Sequence, residues 1–244
     1  MSIEVFYIIL FFVAFLYASV GHGGASGYLA LMALYGIAPE EMKPTALVLN
    51  LFVSITSFSH YYRGGFFSKK IFIPIAAMSI PMAFIGGMIT VEETVYKRIL
   101  GVLLLFPILR FFFFKNVEDC QLRPHTVSVA IISGGIVGLL SGMIGIGGGI
   151  LLSPLLLLLQ WTNQKQTAAI SAAFIFVNSL AGLGGMLTRG ITFTGDMALF
   201  VGVALVGGFL GAYLGSKKFN ATILKYVLAV VLLLASYKLV FSKA

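Results

Sequence analysis

Charged positions are rare along this chain and divide it into long apolar runs. Asp, Glu, Lys and Arg are absent from residues 5–39, 44–62, 71–91, 124–164, 166–188 and 197–216. A helix that crosses a bilayer needs about 20 apolar residues, so the first and fourth runs hold one crossing and part of a second. The runs lack the alternation of strands and are apolar on every face, which predicts α-helices packed against lipid and against each other.

Within this pattern, each half of the chain predicts a helix, a glycine-rich break, a short helix and three spans. The first helices are expected at 3–20 and 126–144, and the short ones at 26–37 and 150–161. A helix of about 12 residues is too short to span a membrane. The spans are expected at 45–62, 71–89, 95–114, 167–187, 197–214 and 223–241.

The two halves also share motifs at an offset of roughly 125 residues, which indicates a duplicated unit. The matched pairs are Gly21-His22-Gly23-Gly24 with Gly145-Ile146-Gly147-Gly148, Lys43-Pro44-Thr45-Ala46 with Lys165-Gln166-Thr167-Ala168, and Arg63-Gly64 with Arg189-Gly190. We therefore predict a first transmembrane repeat at residues 1–114, a linker at 115–124 and a second repeat at 125–244.

The direction of the repeats depends on the glycine-broken segment. If this segment crosses the membrane, there are eight spans and the repeats are parallel; if it turns back, each repeat has three full spans and the repeats are inverted. Lys and Arg divide nine to seven in the first arrangement and ten to six in the second. Because positive residues collect on one side of a membrane, this favours the inverted arrangement. The predicted fold is an all-α membrane protein with two repeats and seven or eight transmembrane segments.

Composition agrees with this fold class. Hydrophobic residues make up 59% of the 244 residues and charged residues 10%, with a net charge of +8. The basic residues are spread over short loops, which indicates topology and argues against nucleic acid as a partner. The single cysteine, Cys120, is expected to be a free thiol, and three separated histidines form no metal motif, so no metal or cofactor is predicted.

The glycine breaks are the main candidates for chemistry, because each glycine costs a helix about 1 kcal/mol. A broken helix frees backbone N–H groups at a positive helix end, where an anion binds well, and discontinuous helices of this kind are a transporter design. Alternatively, the glycines allow helices to pack closely. The predicted substrate-binding glycines are Gly21, Gly23, Gly24, Gly145, Gly147, Gly148 and Gly149.

Three further side chains join this predicted site. Asn50 and Asn178 lie within apolar runs, where they either donate hydrogen bonds to an oxyanion or join neighbouring helices. His22 lies inside the first break and either binds the anion, takes up a coupled proton or is satisfied by backbone carbonyls. We expect the anion to bind without a buried lysine or arginine.

The motif Gly-Ile-Gly-Gly-Gly-Ile-Leu-Leu-Ser-Pro-Leu-Leu at residues 145–156, together with residues 165–173, resembles the TauE/SafE family of sulfite exporters. This resemblance implies a multi-pass transporter of a bacterial or archaeal cytoplasmic membrane that exports sulfite, sulfoacetate or a related organosulfonate. The first repeat departs from the motif, because His22 interrupts the glycines, Ala25 replaces the last one and Ala30 stands in the place of Pro154.

We therefore expect an exporter that works by alternating access of its two repeats. No enzymatic activity is predicted, since no acid, base or nucleophile motif lies within an apolar run. The alternative is a membrane scaffold or assembly subunit that transports nothing. The expected partners are a small anion and the lipid bilayer, with a coupled proton and a second copy of the chain as further candidates.

Overall fold

The computed structural model describes residues 3–19, 25–106, 108, 122–191, 193–218 and 221–241. Within these residues the chain forms ten helices and no strand, so the expectation of an all-α protein is confirmed. The helices are α1 (Ile3–Ser19), α2 (Ala25–Leu34), α3 (Pro39–Arg63), α4 (Lys69–Met88), α5 (Glu93–Leu103), α6 (Val127–Ile144), α7 (Gly149–Leu158), α8 (Gln164–Leu187), α9 (Gly195–Lys218) and α10 (Ala221–Phe241). Among the described residues, α4, α6 and α8 are long and apolar enough to cross a membrane.

Helix α3 begins earlier than the hydrophobic pattern predicts, at Pro39 rather than at residue 45. Proline suits the first helical position because its missing N–H would have no partner there. Glu40 and Glu41 follow in the first turn, where negative charge is favourable next to the positive helix end. Because these first residues are polar, the hydrophobic pattern does not predict that they belong to a membrane helix. The earlier start places Lys43 inside α3.

The short helices α2 and α7 have 10 residues each, so they are about 15 Å long, half the thickness of a bilayer core. Each helix ends three residues earlier than expected, at Leu34 and at Leu158. The two helices also terminate in the same way. The N–H of Ile37 donates to Met32 O, and the N–H of Trp161 donates to Leu156 O. The residue before each donor, Gly36 or Gln160, has a positive φ, as in a left-handed helix cap.

Helices α6 and α7 form a hairpin. The Arg123 N–H, just before α6, donates to Gln160 O, just after α7, over 2.8 Å. The rings of His125 and Trp161 lie beside this bond, with centroids 6.1 Å apart. The start of α6 and the end of α7 therefore lie next to each other. At the start of the chain, the Phe6 and Tyr35 rings likewise bring the beginning of α1 close to the residues after α2, with centroids 4.8 Å apart.

Helices α3 and α8 pack side by side in opposite directions. Glu40 at the start of α3 and Arg189 just after α8 line one cavity, whereas Arg63 at the end of α3 and Lys165 at the start of α8 line another. Between these ends, Leu47 of α3 faces α8. This antiparallel pair runs past the α6–α7 junction, and so it positions the candidate site.

Two further pairs pack extensively and run parallel, namely α4 with α6 and α1 with α9. Small residues let these backbones approach closely, as is common between membrane helices. On α6, Gly134, Gly138 and Gly142 face Ile75, Ser79 and Ala83 of α4, and on α9, Gly207 and Gly211 face Phe11 and Phe15 of α1. Both pairs join a helix of the first half of the chain to a helix of the second half.

Candidate functional site

The second glycine break is confirmed as an interruption between two helices. Helix α6 ends at Ile144, and α7 begins at Gly149. Between them, Gly145, Gly147 and Gly148 have φ values of 86°, 71° and 76°. A side chain disfavours this left-handed conformation, so the turn needs glycine at all three positions. The predicted residues of the first break, Gly21, His22, Gly23 and Gly24, lie outside the described residues.

The break is packed between α3 and α8. A Cβ atom placed on Gly147 would lie 2.6 Å from Asn50 Nδ2 of α3 and 3.1 Å from Ser179 Oγ of α8. On Gly148 it would lie 2.6 Å from Phe174 Cε1. Missing side chains therefore let polar atoms of both central helices reach the backbone of the break.

Buried polar atoms without partners collect around this backbone. Asn50 Nδ2 and Ser179 Oγ have no hydrogen-bond partner among the described residues, although Asn50 is 2% exposed and Ser179 is 0% exposed. Ser141 Oγ is also unpartnered within the described chain, and the Cβ of Ser141 approaches Gly148. An unmet buried polar group costs about 1–3 kcal/mol. Three such groups at one place could form hydrogen bonds to a bound molecule or to water.

Asn178 differs from Asn50 in how its amide is used. Its Nδ2 donates to Phe174 O of the same helix over 2.8 Å, and only Oδ1 is without a partner among the described residues. Asn178 is 0% exposed, so it is deeply buried as predicted. Its free atom accepts hydrogen bonds and does not donate them, and an acceptor suits a hydroxyl group better than a bare oxyanion.

The start of α7 adds backbone donors to the site. Gly148 O accepts the N–H groups of Leu151 and Leu152 and so begins the helix. The first N–H groups of any α-helix have no acceptor within it, and they carry the positive end of the helix dipole. In α7, those groups belong to Gly149 and Ile150, next to the packed break. The arrangement is suited to hold an anion by hydrogen bonds from uncharged groups.

A buried cation lies beside the break, contrary to the expectation that the site would have no buried lysine or arginine. Lys43 is only 6% exposed, and its Cα would lie 3.0 Å from a Cβ placed on Gly145. Its Nζ lies 4.9 Å from the centroid of the Tyr96 ring, and the Tyr96 hydroxyl donates to Ile144 O over 2.9 Å. The aromatic ring stabilises the ammonium group.

Sequence reasoning missed three of these side chains. Ser141 and Ser179 were overlooked because small hydroxyl residues are ordinary inside membrane helices. Lys43 was assigned to a loop before the third helix. The signal in the sequence that distinguishes Lys43 from other loop lysines is its match with Lys165 in the repeated motif. In the described parts of the chain, no group of three His, Cys, Asp or Glu residues could hold a metal ion.

Comparison with known proteins identifies the family of this chain. The family described as sulfite exporter TauE/SafE matches residues 6–239. The probable membrane transporter protein y4hK of Sinorhizobium fredii is 34% identical over 96% of both chains. The probable membrane transporter protein YdhB of Bacillus subtilis is 28% identical over 87% of this chain and 89% of its own, and YfcA of Escherichia coli K12, named in the same way, is 29% identical over 86% and 79%.

No solved structure matches this chain. The family match covers nearly its whole length and includes both the α6–α7 hairpin and the central pair α3 and α8. The chain therefore belongs to the TauE/SafE family and is a membrane transporter of that type.

Proposed function

We propose that this protein is a multi-pass transporter of the cell membrane that exports a small sulfur-containing anion, such as sulfite, sulfoacetate or a related organosulfonate. The anion binds at the junction of α6 and α7. The observation that carries this proposal is the group of unpartnered buried donors, Asn50 Nδ2, Ser141 Oγ and Ser179 Oγ, beside the first turn of α7. The family description supports sulfite or a similar anion as the cargo.

The chemistry of the site fits an oxyanion of this kind. A sulfite or sulfonate group presents three oxygens, and each accepts hydrogen bonds from neutral donors. The backbone N–H groups at the start of α7 supply further donors and a partial positive charge. Lys43, whose Cα lies next to Gly145 of the break, adds a positive charge that offsets part of the cost of removing the anion from water.

The proposal includes two inverted repeats at residues 1–114 and 125–244, joined by the linker at 115–124. Three features support it. Helices α6 and α7 return to the side where they started, α3 and α8 are antiparallel, and the contact of α4 with α6 has a counterpart in the contact of α9 with α1. The proposed site also includes Gly21, His22, Gly23 and Gly24 of the first break, which lie outside the described residues. The side with Arg63 and Lys165 is then cytoplasmic.

Alternating access follows from how the break is packed. The backbone of Gly147 lies against side chains of both α3 and α8, and that of Gly148 lies against side chains of α8 and α6. An anion therefore reaches this backbone when α3 and α8 move apart. Repeated units with broken helices are expected to open the binding site first toward one side of the membrane and then toward the other, while the break stays in place. The binding donors would be exposed to one side of the membrane at a time.

Transport in liposomes tests the proposal. Purified protein should exchange labelled sulfite for unlabelled sulfite, sulfoacetate or an organosulfonate, and at least one of these anions should raise its unfolding temperature. Chloride at the same concentration is the control anion. The double variant Asn50→Ala, Ser179→Ala should lose exchange, whereas Ser133→Ala, on α6 and away from the break, should keep it. Absence of both exchange and stabilisation with every sulfur anion would reject the proposal.

A further inference from the structure

Two cavities lie at opposite ends of the α3–α8 pair. The first, of about 360 Å³, lies where α3 begins and α8 ends, and its lining includes Lys43 and Arg189. The second, of about 820 Å³, lies where α3 ends and α8 begins, and its lining includes Arg63 and Lys165. Asn50 is seven and thirteen residues along α3 from Lys43 and Arg63, or roughly 10 and 20 Å. The glycine break therefore lies between the two cavities.

The two cavities carry the same pair of basic side chains. Each has a lysine from near the start of one central helix and an arginine from the end of the other. The lysines also have similar surroundings: Lys43 Nζ lies 4.9 Å from the Tyr96 ring centroid, and Lys165 Nζ lies 5.2 Å from that of Phe66. A charge arrangement that occurs twice, in corresponding places, is more specific than scattered interfacial residues.

The cavities differ in how open their lysines are. Lys43 is buried and shares its cavity with Glu40 and Glu41, whereas Lys165 is exposed in a cavity whose described lining residues include no acidic one. The second cavity thus presents a net positive charge to water. The first is smaller, and its basic residues are partly neutralised.

We propose that Arg63 and Lys165 form a recruitment site for small oxyanions at the open mouth of the route to the glycine break. Lys43 and Arg189 form the corresponding site on the other side of the membrane, where Lys43 is buried in this conformation. A wide mouth of one charge sign raises the local concentration of oppositely charged solutes. This inference rests on the proposed function, because it identifies the path of the same cargo.

A thiol-labelling experiment measures the charge of the open cavity without transport. Ser59 lines this cavity and is exposed, so Ser59→Cys in a Cys120→Ser background gives a single reporter thiol. A negatively charged sulfonate thiol reagent should react faster than a trimethylammonium one of similar size. Adding Arg63→Gln and Lys165→Gln should lower the ratio of the two rates roughly 3- to 10-fold at low salt. Lys70→Gln, an exposed lysine on the same side, is the control and should leave the ratio unchanged.

Exchange of labelled sulfite in liposomes completes the test. The Arg63→Gln, Lys165→Gln variant should raise the apparent KM roughly 3- to 10-fold and keep the maximal rate within about twofold, and high salt should remove the difference. Unchanged KM and an unchanged labelling ratio would overturn the inference, as would an equal effect of Lys70→Gln. A wild-type protein that moves no sulfur anion would reject the proposed function, while the labelling ratio would still decide whether this basic pair attracts anions.

Discussion

The glycines within α6 and those that follow it show two different uses of the same residue. Within the helix, Gly134, Gly138 and Gly142 recur every fourth residue and face the backbone of α4. After the helix, Gly145, Gly147 and Gly148 adopt left-handed backbone conformations. The first set is needed because a side chain would collide with a neighbouring helix, and the second because a side chain would strain its own backbone. The helix interruption expected at the break is confirmed, and close packing is found at Gly134, Gly138 and Gly142 instead, while anion binding by the break stays a prediction.

The two regions also differ in what they leave unpaired. The α4–α6 contact is a close fit of two helices in which most backbone groups bond within each helix, although Pro74 and Pro81 of α4 supply no N–H. The break instead lies beside Asn50 and Ser179, whose buried polar atoms have no partner in the described part of the chain. Stability is therefore concentrated in the α4–α6 contact, and ligand binding is expected at the break. Variants that separate these two roles test the comparison.

The largest effect is expected for Gly142→Leu. A side chain at this position would meet the Ala83 carbonyl oxygen and the Gly87 N–H across the helix contact, and backbone atoms cannot move aside easily. We expect a loss of about 3 kcal/mol of unfolding free energy, seen as a lower unfolding temperature and a smaller monodisperse fraction in detergent. Gly202→Leu on α9 is the matched control, since a Cβ there meets nothing within 4 Å. Equal stability of the two variants would contradict the packing role.

Gly147→Ala should have the next largest effect and should also abolish transport. The left-handed backbone costs a residue with a side chain about 1–2 kcal/mol, and contact with Asn50 Nδ2 adds to this cost. Gly65→Ala controls for the strain alone, because Gly65 has a φ of 75° and open space around it. Thermal unfolding and sulfite exchange should distinguish the two variants: Gly147→Ala should unfold at a lower temperature and lose exchange, whereas Gly65→Ala should keep its exchange. If both variants transport normally, the break is not the binding site.

The smallest effect, about 1 kcal/mol, is expected when Ser153, whose hydroxyl is hydrogen-bonded, and Asn50 are each replaced by alanine. Ser153→Ala removes hydrogen bonds of 2.8 Å to Gly149 O and to Ser171 Oγ, so it should destabilise by about this amount and keep most transport. Asn50→Ala removes an amide whose Nδ2 has no partner among the described residues, so its unfolding temperature should not fall below that of the wild type while transport is lost. The reverse pattern would mean that Ser153, not Asn50, belongs to the binding site.

The hydrophobic pattern and helix propensity are sufficient to predict most of the helices and the break at Gly145 to Gly149, but the span expected at 95–114 is wrong because α5 ends at Leu103. They are not sufficient for features that depend on contacts between distant residues. Ser179 lies some thirty residues after Gly147 and reaches it only because α8 packs against the hairpin. Lys43 precedes the apolar run, so only the extension of α3 through Pro39 places it inside the protein. Local sequence specifies local structure, whereas the site is assembled by packing.

The closed hairpin of α6 and α7 also constrains how the protein is made. Ten residues of α7 are too few to remain in a bilayer as an independent segment when they emerge during synthesis. Their polar partner Ser171 and most of their apolar neighbours belong to α8, which is synthesised afterwards. Helix α7 therefore reaches its final position only after α8 has been synthesised. As a result, the helices of this half of the chain do not insert strictly one at a time.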